Sequence, residues 1–449
     1  MARDSWASRF GFVMATAGFA VGLGNIWRFP YLAGMNGGGA FLLVYVAIAV
    51  VIGIPLLTAE IGLGRRAQLS PLAGMVRLTG SRTSPWNAIG VLGVTAAVLI
   101  QCYYVMLIGW IAGYFVMIVS GRLAGASPES LAATFARFTS TPAPVVGYTL
   151  LVVLSMALVV ARGLRGGLER LSSLAMPLLF VLLIALAVRS LTFPGALEGL
   201  RWYLAPDLSA LSPGMVLAAL GQAFYSIGIG MAAAFCFGSY LQSHSSDVPG
   251  NAALVVVFDT AVAFLAGLVI FPALFAFGLE PDAGPGLLFM TMTSLFAEMP
   301  AGRLFGAAFF LLLILAAMTS AAALHEALTV TVTDATGTRR RPTSWAVAAA
   351  TFALSVPIIL SQGPWSDLRV LGMDLFGLAD TVSGNVLLPA GAFLLSLYTA
   401  FVWGFERFRE ETNAGAGAVR IGRFWKPFVV GLIPVAVAIV WLAGLGVGS

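Results

Sequence analysis

The sequence predicts an all-α membrane protein in which two five-helix halves cross the bilayer in opposite senses and an eleventh helix follows. Three observations predict it. Of 449 residues, 59% are hydrophobic and only 10% charged, with a mean hydropathy of +0.96; a soluble domain carries roughly 25% charged residues. The apolar residues gather into stretches of about 20, the length a helix needs to cross a bilayer. Two of those stretches, the first and the sixth, are interrupted by glycines at matching places.

Taken in order, the apolar runs predict spans near 10–32, 38–64, 86–119, 144–162, 171–191, 213–240, 250–278, 301–332, 343–361, 380–404 and 424–446. No polar linker between them is long enough to hold a soluble domain. Residues 1–449 therefore read as one transmembrane domain, with halves over about 8–191 and 213–404 and the additional helix over 424–446. Most of the 24 Lys and Arg residues fall in every second connection, for example Arg65, Arg66, Arg77 and Arg82, then Arg162, Arg165 and Arg170, then Arg339, Arg340 and Arg341. Basic residues mark cytoplasmic loops. This places the N-terminus in the cytoplasm, the C-terminus outside and the protein in the inner (plasma) membrane.

The opening "MARDSW" lacks the layout of a cleaved signal peptide, so the first span is expected to be retained. The net charge of +5 belongs to this topology: the partner it implies is the lipid bilayer, with no nucleic acid expected. Cys102 and Cys236 lie in apolar runs, and their spacing suggests neither a disulfide framework nor a metal site.

In the first span, "GFAVGLGNIWRFP" places Gly18, Gly22, Gly24, Asn25, Arg28 and Pro30 where an unbroken apolar helix would serve lipid best. In the sixth, "GQAFYSIGIGMA" holds Gly221, Gly228 and Gly230. Either set alone also reads as a surface for close helix packing. The two spans are five helices apart, so they occupy corresponding places in the two halves, and because five is odd the second half is inverted. A matched pair of interrupted spans points to a binding site at mid-membrane.

Later spans add isolated polar groups. Asp259, in "VVVFDTAVAFLAG", is a lone carboxylate in a span, which marks an ion path unless it is a hydrogen-bonded structural residue. Thr319 and Ser320, in "AAMTSAAAL", offer hydroxyls that either meet a cation or bond back to the preceding turn. His244 and His325 read as hydrogen-bonded residues without a relay partner, and Glu60 as a cap on neighbouring backbone. No nucleophile–base set, metal cluster or phosphate loop is present. "GLGN" inside a membrane helix lacks the strand–turn–helix context of a dinucleotide site, so no enzyme is expected.

The stretch "RDSWASRFGFVMATAGFAVGLGNIWRFPYLAGMNGGGAFLLVY" resembles the first two helices of the neurotransmitter:sodium symporter family, with "GLGNIWRFP" and "NGGGAF" as its specific blocks. The resemblance covers the whole chain and lies nearest the bacterial eleven-helix amino-acid transporters. It implies the leucine-transporter-type 5+5 inverted repeat with broken helices 1 and 6, and sodium-coupled symport by alternating access.

The resemblance further implies two sodium sites. The first comprises Ala20, Asn25, Ser226 and Asp259, completed by the substrate's carboxylate. The second comprises the Gly18, Val21 and Ala316 carbonyls with Thr319 and Ser320. Oxygen donors of this kind suit a hard cation. Substrate contacts fall on Phe19, Ala20, Gly22, Leu23 and Gly24 of helix 1 and on Tyr225, Ser226, Gly228 and Met231 of helix 6. Helix 3 adds Ile100 and Tyr104, and helix 8 adds Ser320 and Leu324. The half-helix N-termini attract a carboxylate, Tyr104 is expected to hydrogen-bond it, and Tyr225 to cover it.

Monoamine carriers of this family place Asp at the position of Gly22, so glycine here implies an amino-acid substrate. The side-chain pocket holds no charge, and a charged substrate would be desolvated there without a partner. Gly228 and the adaptable Met231 favour branched or aromatic side chains. Phe19 narrows the pocket and suits a methylated amine, which leaves glycine, proline or betaine-like zwitterions open. A non-transporting substrate sensor on the same scaffold is the other alternative.

Asp259 and Ala263 stand where chloride-dependent members carry Asn and Ser, although Tyr45, Gln222 and Ser226 match the rest of their anion site. A fixed carboxylate implies that chloride is not needed. Protonation of Asp259 on the return step would make H⁺ a counter-transported partner. For the outer gate the resemblance pairs Arg28 with Asp380, with Gln222 between them. For the inner gate it pairs Arg3 with Asp334, with Trp6 and Tyr240 around them. Gly167 and Pro177, in "GLERLSSLAMP", resemble the family's unwinding segment of helix 5; a plain proline kink is the alternative.

Overall fold

The computed structural model describes residues 4–242, 246–279, 286–415, 417 and 419–445. Among them, nine helices are long and apolar enough to cross a bilayer: Gly39–Ala67, Pro85–Val119, Pro142–Ala161, Leu164–Leu191, Val248–Ala276, Gly302–Thr336, Arg340–Leu360, Leu375–Thr412 and Arg423–Gly444. The first span comes as two helices, Arg9–Ala20 and Gly24–Met35, bent by 53° at the break. The sixth comes as Pro213–Ile227 and the short helix Ala233–Gly238. With the bent first pair counted as one, ten spans are found among the described residues, and they and the shorter helices of the sixth follow the predicted order.

Four elements carry no span-length apolar signal: Pro71–Thr79, Pro128–Ser140, Ala196–Leu204 and Met292–Glu298. All are shorter than the roughly 20 residues a crossing requires, which is why hydropathy alone passes over them. The fifth span begins at Leu164 rather than 171, because its first six residues wind as a π-helix over Leu164–Glu169 before the α-helix starts.

The first span sits at the centre: every residue from 11 to 26 is buried. Around it the third and eighth spans are the most enclosed and the eleventh the least. The fifth span divides along its length. Ser172, Met176, Leu179 and Leu183 are buried, while Leu174, Val181 and Val188, spaced seven apart, are exposed. A heptad-spaced row of exposed large aliphatic residues is a lipid-facing stripe.

Each break has a local cause. Ala20 ends the N-terminal half of the first span, and Val21 turns extended at ψ 105°. The chain resumes as a π-turn over Gly24–Arg28 that runs directly into the α-helix Phe29–Met35; Pro30, which has no N–H to donate, sits at that junction. In the sixth span Gly228 adopts φ +73°, a left-handed conformation that closes the helix and that residues with a Cβ rarely adopt. The Glu60 carboxylate accepts from Gly230 N at 2.9 Å, so Glu60 caps freed backbone as the sequence suggests.

Candidate functional site

Where the two breaks face each other, all thirteen residues named from sequence as substrate contacts line a single cavity of about 40 Å³. Phe19 to Gly24 come from the first break, Tyr225 to Met231 from the second, Ile100 and Tyr104 from the third span, and Ser320 and Leu324 from the eighth. The cavity has no charged side chain. Leu23 N donates to the Tyr104 hydroxyl at 3.4 Å, a long bond.

Gly22 is fitted to this place. A Cβ built there would lie 2.9 Å from the Tyr104 hydroxyl and 3.0 Å from Ser320 Oγ. The space beside Gly228 is taken differently from the sequence reading, which gives it to the ligand. The Phe19 ring fills it, with Cε1 2.5 Å from where a Gly228 Cβ would be. Phe19 then meets Phe237 edge-on at 6.3 Å between centroids.

At one end of the cavity Asp259 is fully buried. Its oxygens accept from Asn25 Nδ2 at 2.6 Å, from Ser226 Oγ at 2.9 and 3.1 Å and from the Tyr45 hydroxyl at 2.9 Å. Asn25 Oδ1 accepts from Gly22 N at 3.0 Å, which ties this cluster to the first break. Asn25, Ser226 and Asp259, drawn from three spans, are therefore mutual neighbours. Only neutral donors surround the carboxylate, an arrangement that leaves a net negative charge for a cation to meet.

At the other end, Ser320 Oγ lies 3.1 Å from Gly18 O, 3.0 Å from Phe19 O, 3.1 Å from Val21 O and 3.3 Å from Ala316 O. One hydroxyl proton serves one acceptor at a time, so oxygens outnumber donors here. That surplus of neutral oxygens is chemistry a hard cation can use. Thr319 Oγ1 bonds Leu315 O and Ala316 O of its own helix, while its Cβ borders Gly18.

A larger cavity, about 620 Å³, lies on the Arg28 side and shares Leu23, Gly24, Tyr104 and Tyr225 with the smaller one. Arg28 and Asp380 both line it. Among the described residues no ion pair within 4.0 Å joins them; the guanidinium instead stacks over the Tyr225 ring at 4.7 Å. Gln222 donates to Gly24 O at 2.9 Å, bracing the first break rather than bridging the two charges.

The opposite side is closed. Trp6 packs edge-on against Phe12 and Phe237 at 5.5 and 5.4 Å and against Tyr240 at 6.1 Å, and its Nε1 donates to Phe237 O. Arg3 and His244 lie outside the described residues. Asp334 Oδ2 accepts from Ser70 N at 2.6 Å. Three residues not anticipated from sequence, Asp4, Glu326 and Arg340, join Tyr240 here. Arg340 pairs with Asp4 at 2.8 Å and with buried Glu326, and the Tyr240 hydroxyl donates to Glu326. A charged residue inside the apolar run "AAALHEAL" is the one signal that could have flagged Glu326. His325 Nε2 meets Ser344 O and Oγ at 3.1 Å, as a hydrogen-bonded helix residue would.

Over nearly its whole length the chain is similar to known transport proteins. The profile of the Sodium:neurotransmitter symporter family matches residues 3–136 and 130–446. The chain is similar to an uncharacterized sodium-dependent transporter of Bacillus subtilis, 38% identical over 445 residues that cover 99% of this chain and 98% of that one. One from Haemophilus influenzae is 32% identical over 456 residues, covering 99% and 98%. A sodium- and chloride-dependent creatine transporter of Oryctolagus cuniculus is 29% identical, covering 91% of this chain and 72% of that one. Among solved structures, MhsT in complex with L-phenylalanine superposes with a TM-score of 0.89 at 38% identity, covering 99% of this chain and 100% of that chain.

Proposed function

This chain belongs to the Sodium:neurotransmitter symporter family, and on that premise we propose that it imports neutral, hydrophobic amino acids together with sodium by alternating access. It is a multi-pass membrane protein of the leucine-transporter fold, and its relatives are transporters, not enzymes. The observation that carries the proposal is the cavity between the two helix breaks, uncharged along its walls and flanked by two oxygen-rich clusters. A zwitterion fits there with its carboxylate toward Asn25 and the half-helix ends, where partial positive charge favours it. The complex of MhsT with L-phenylalanine supports an amino acid as the substrate.

In this reading one sodium is held by Ala20, Asn25, Ser226 and Asp259, and the other by Gly18, Val21, Ala316, Thr319 and Ser320. Arg28 and Asp380, with Gln222 near them, are apart here and come together when the outer side closes. Arg3, Trp6, Tyr240 and Asp334 belong to the inner side, with the N-terminus in the cytoplasm and the C-terminus outside. The test is sodium-dependent binding by purified protein across the twenty amino acids, with betaine and creatine added. Binding that is equal with and without sodium would overturn the proposal.

One observation favours a second substrate reading. With Phe19 filling the notch at Gly228, the cavity suits a small or N-methylated zwitterion such as glycine, proline or a betaine, and the likeness to creatine transporters is in keeping with that. Tighter binding of these than of leucine or phenylalanine would establish it.

Two properties follow from Asp259. A fixed carboxylate beside the cation supplies the charge that chloride would otherwise supply, so uptake should proceed unchanged in chloride-free medium. Asp259→Asn should then lose uptake without chloride and recover part of it with chloride. Loss of wild-type uptake on chloride removal would reject this. Protonation of Asp259 after sodium leaves would couple H⁺ export to the return step. An uptake rate indifferent to an imposed pH gradient would reject that coupling.

A further inference from the structure

On the inner side of the Gly18–Ser320 cluster, the fifth span carries two polar groups to which the transport reading gives no task. Ser172 is fully buried and its hydroxyl has no hydrogen-bond partner, an uncommon state for an interior hydroxyl. It borders the first break: a Cβ placed on Gly18 would lie 3.5 Å from Ser172 Oγ and 3.1 Å from Thr319 Cβ. Nearly one turn earlier, Glu169 is a buried carboxylate, 6% exposed. It accepts from Ala7 N at 3.0 Å and from Ser8 Oγ at 3.2 Å. Among the described residues it forms no ion pair within 4.0 Å. A buried charge met only by neutral donors is costly, so the position asks for an explanation beyond packing.

We infer that Ser172 and Glu169 form a transit site for the cation of the Gly18–Ser320 cluster. Ser172 Oγ takes the ion up as it leaves the carbonyls, and the Glu169 carboxylate draws it toward the N-terminal side. The inference rests on the sodium-coupled reading above. A hard cation crossing a protein interior must exchange one oxygen donor for the next. Ser172 has its lone pairs unused, and Glu169 has about four acceptor positions with two in use.

The local fold supports release by movement of the first span. A Cβ on Gly11 would lie 1.7 Å from Glu169 Oε1, so the carboxylate occupies the space a larger residue on the first span would claim. Separation of that span from the fifth uncovers the carboxylate. Glu169 also ends the π-helical segment Leu164–Glu169, a winding often found at functional positions.

The competing role is a plain helix cap, since Ser8 is the N-cap of the first span. Two variants separate the roles. Glu169→Gln keeps length and, through its one amide oxygen, the bond from Ala7 N, while its amide N–H must donate to Ser8 Oγ instead of accepting from it, and it loses charge; Glu169→Asp keeps charge but falls short of Ala7 N. Two measurements apply: the sodium half-saturation of substrate binding to purified protein, and the inhibition of proteoliposome uptake by sodium loaded inside. Glu169→Gln should leave the half-saturation within about twofold yet raise the internal sodium needed for half-inhibition about tenfold, the scale typical of altered groups around a metal.

Ser172→Ala should move the internal value the same way, and Glu169→Asp should stay near wild type. An impaired Asp variant beside an intact Gln variant would overturn the inference in favour of the cap, as would unchanged internal inhibition in both Glu169→Gln and Ser172→Ala. Binding by the wild-type chain that ignores sodium would remove the transport reading itself and this inference with it.

Discussion

Phe19 and Gly228 show how a single contact sets the size of the site. The ring of one occupies the space that the absent Cβ of the other provides, and Gly228 also holds φ +73°. Gly228→Ala therefore faces both a strained backbone and an aromatic ring. Strain of this kind costs on the order of 1–3 kcal/mol, so the variant should melt earlier in a thermal unfolding assay and bind substrate weakly. Phe19→Ala does the reverse by emptying the notch. A pocket that gains several methylenes of room discriminates by roughly 10–200-fold per methylene at most. Competition binding should show bulky amino acids gaining about tenfold or more over glycine or proline. An unchanged rank order would mean that Phe19 does not set specificity.

Among the elements, the fifth span combines rigidity with a yielding end. Pro177 sits inside its α-helix, while Leu164–Glu169 winds as a π-helix. Gly167 permits that end to touch the fourth span, since a Cβ there would lie 1.9 Å from Val159 O. The obstacle is backbone, which cannot swing aside as a side chain can. Gly167→Ala should destabilise the protein by about 1–3 kcal/mol, the usual cost of overpacking, read as a lower melting temperature in detergent. A variant with unaltered melting would show that the N-terminal end of the fifth span shifts freely.

Across the whole molecule, Arg340 joins pieces far apart in sequence: Asp4 before the first span, Glu326 in the eighth and, through Glu326, Tyr240 after the sixth. Removing one partner of a buried pair strands the other charge. Arg340→Ala should loosen the packing around the N-terminal segment. Hydrogen–deuterium exchange of amides over Asp4–Ala20 should accelerate, while Gly24–Met35 keeps its rate. Equal exchange in variant and wild type would mean that the aromatic packing around Trp6 holds the N-terminal segment in place without Arg340.

The eleven predicted spans and the two interruptions are written in local features of the chain, whereas the residues gathered at the central cavity were named through the resemblance to a known family. Apolar run length sets the spans, glycines at corresponding places mark the breaks, and a carboxylate in an apolar stretch stands out against its neighbours. The π-helical start of the fifth span leaves no such mark, because its composition matches the helix that follows. Phe19 filling the notch at Gly228, Arg28 lying over Tyr225, and the Asp4–Arg340–Glu326–Tyr240 chain were decided only by tertiary structure. Each depends on which side chains meet across hundreds of residues of chain. Hydrophobic patterning records how a helix faces lipid or protein, and it carries no information about which polar partner waits on the other side.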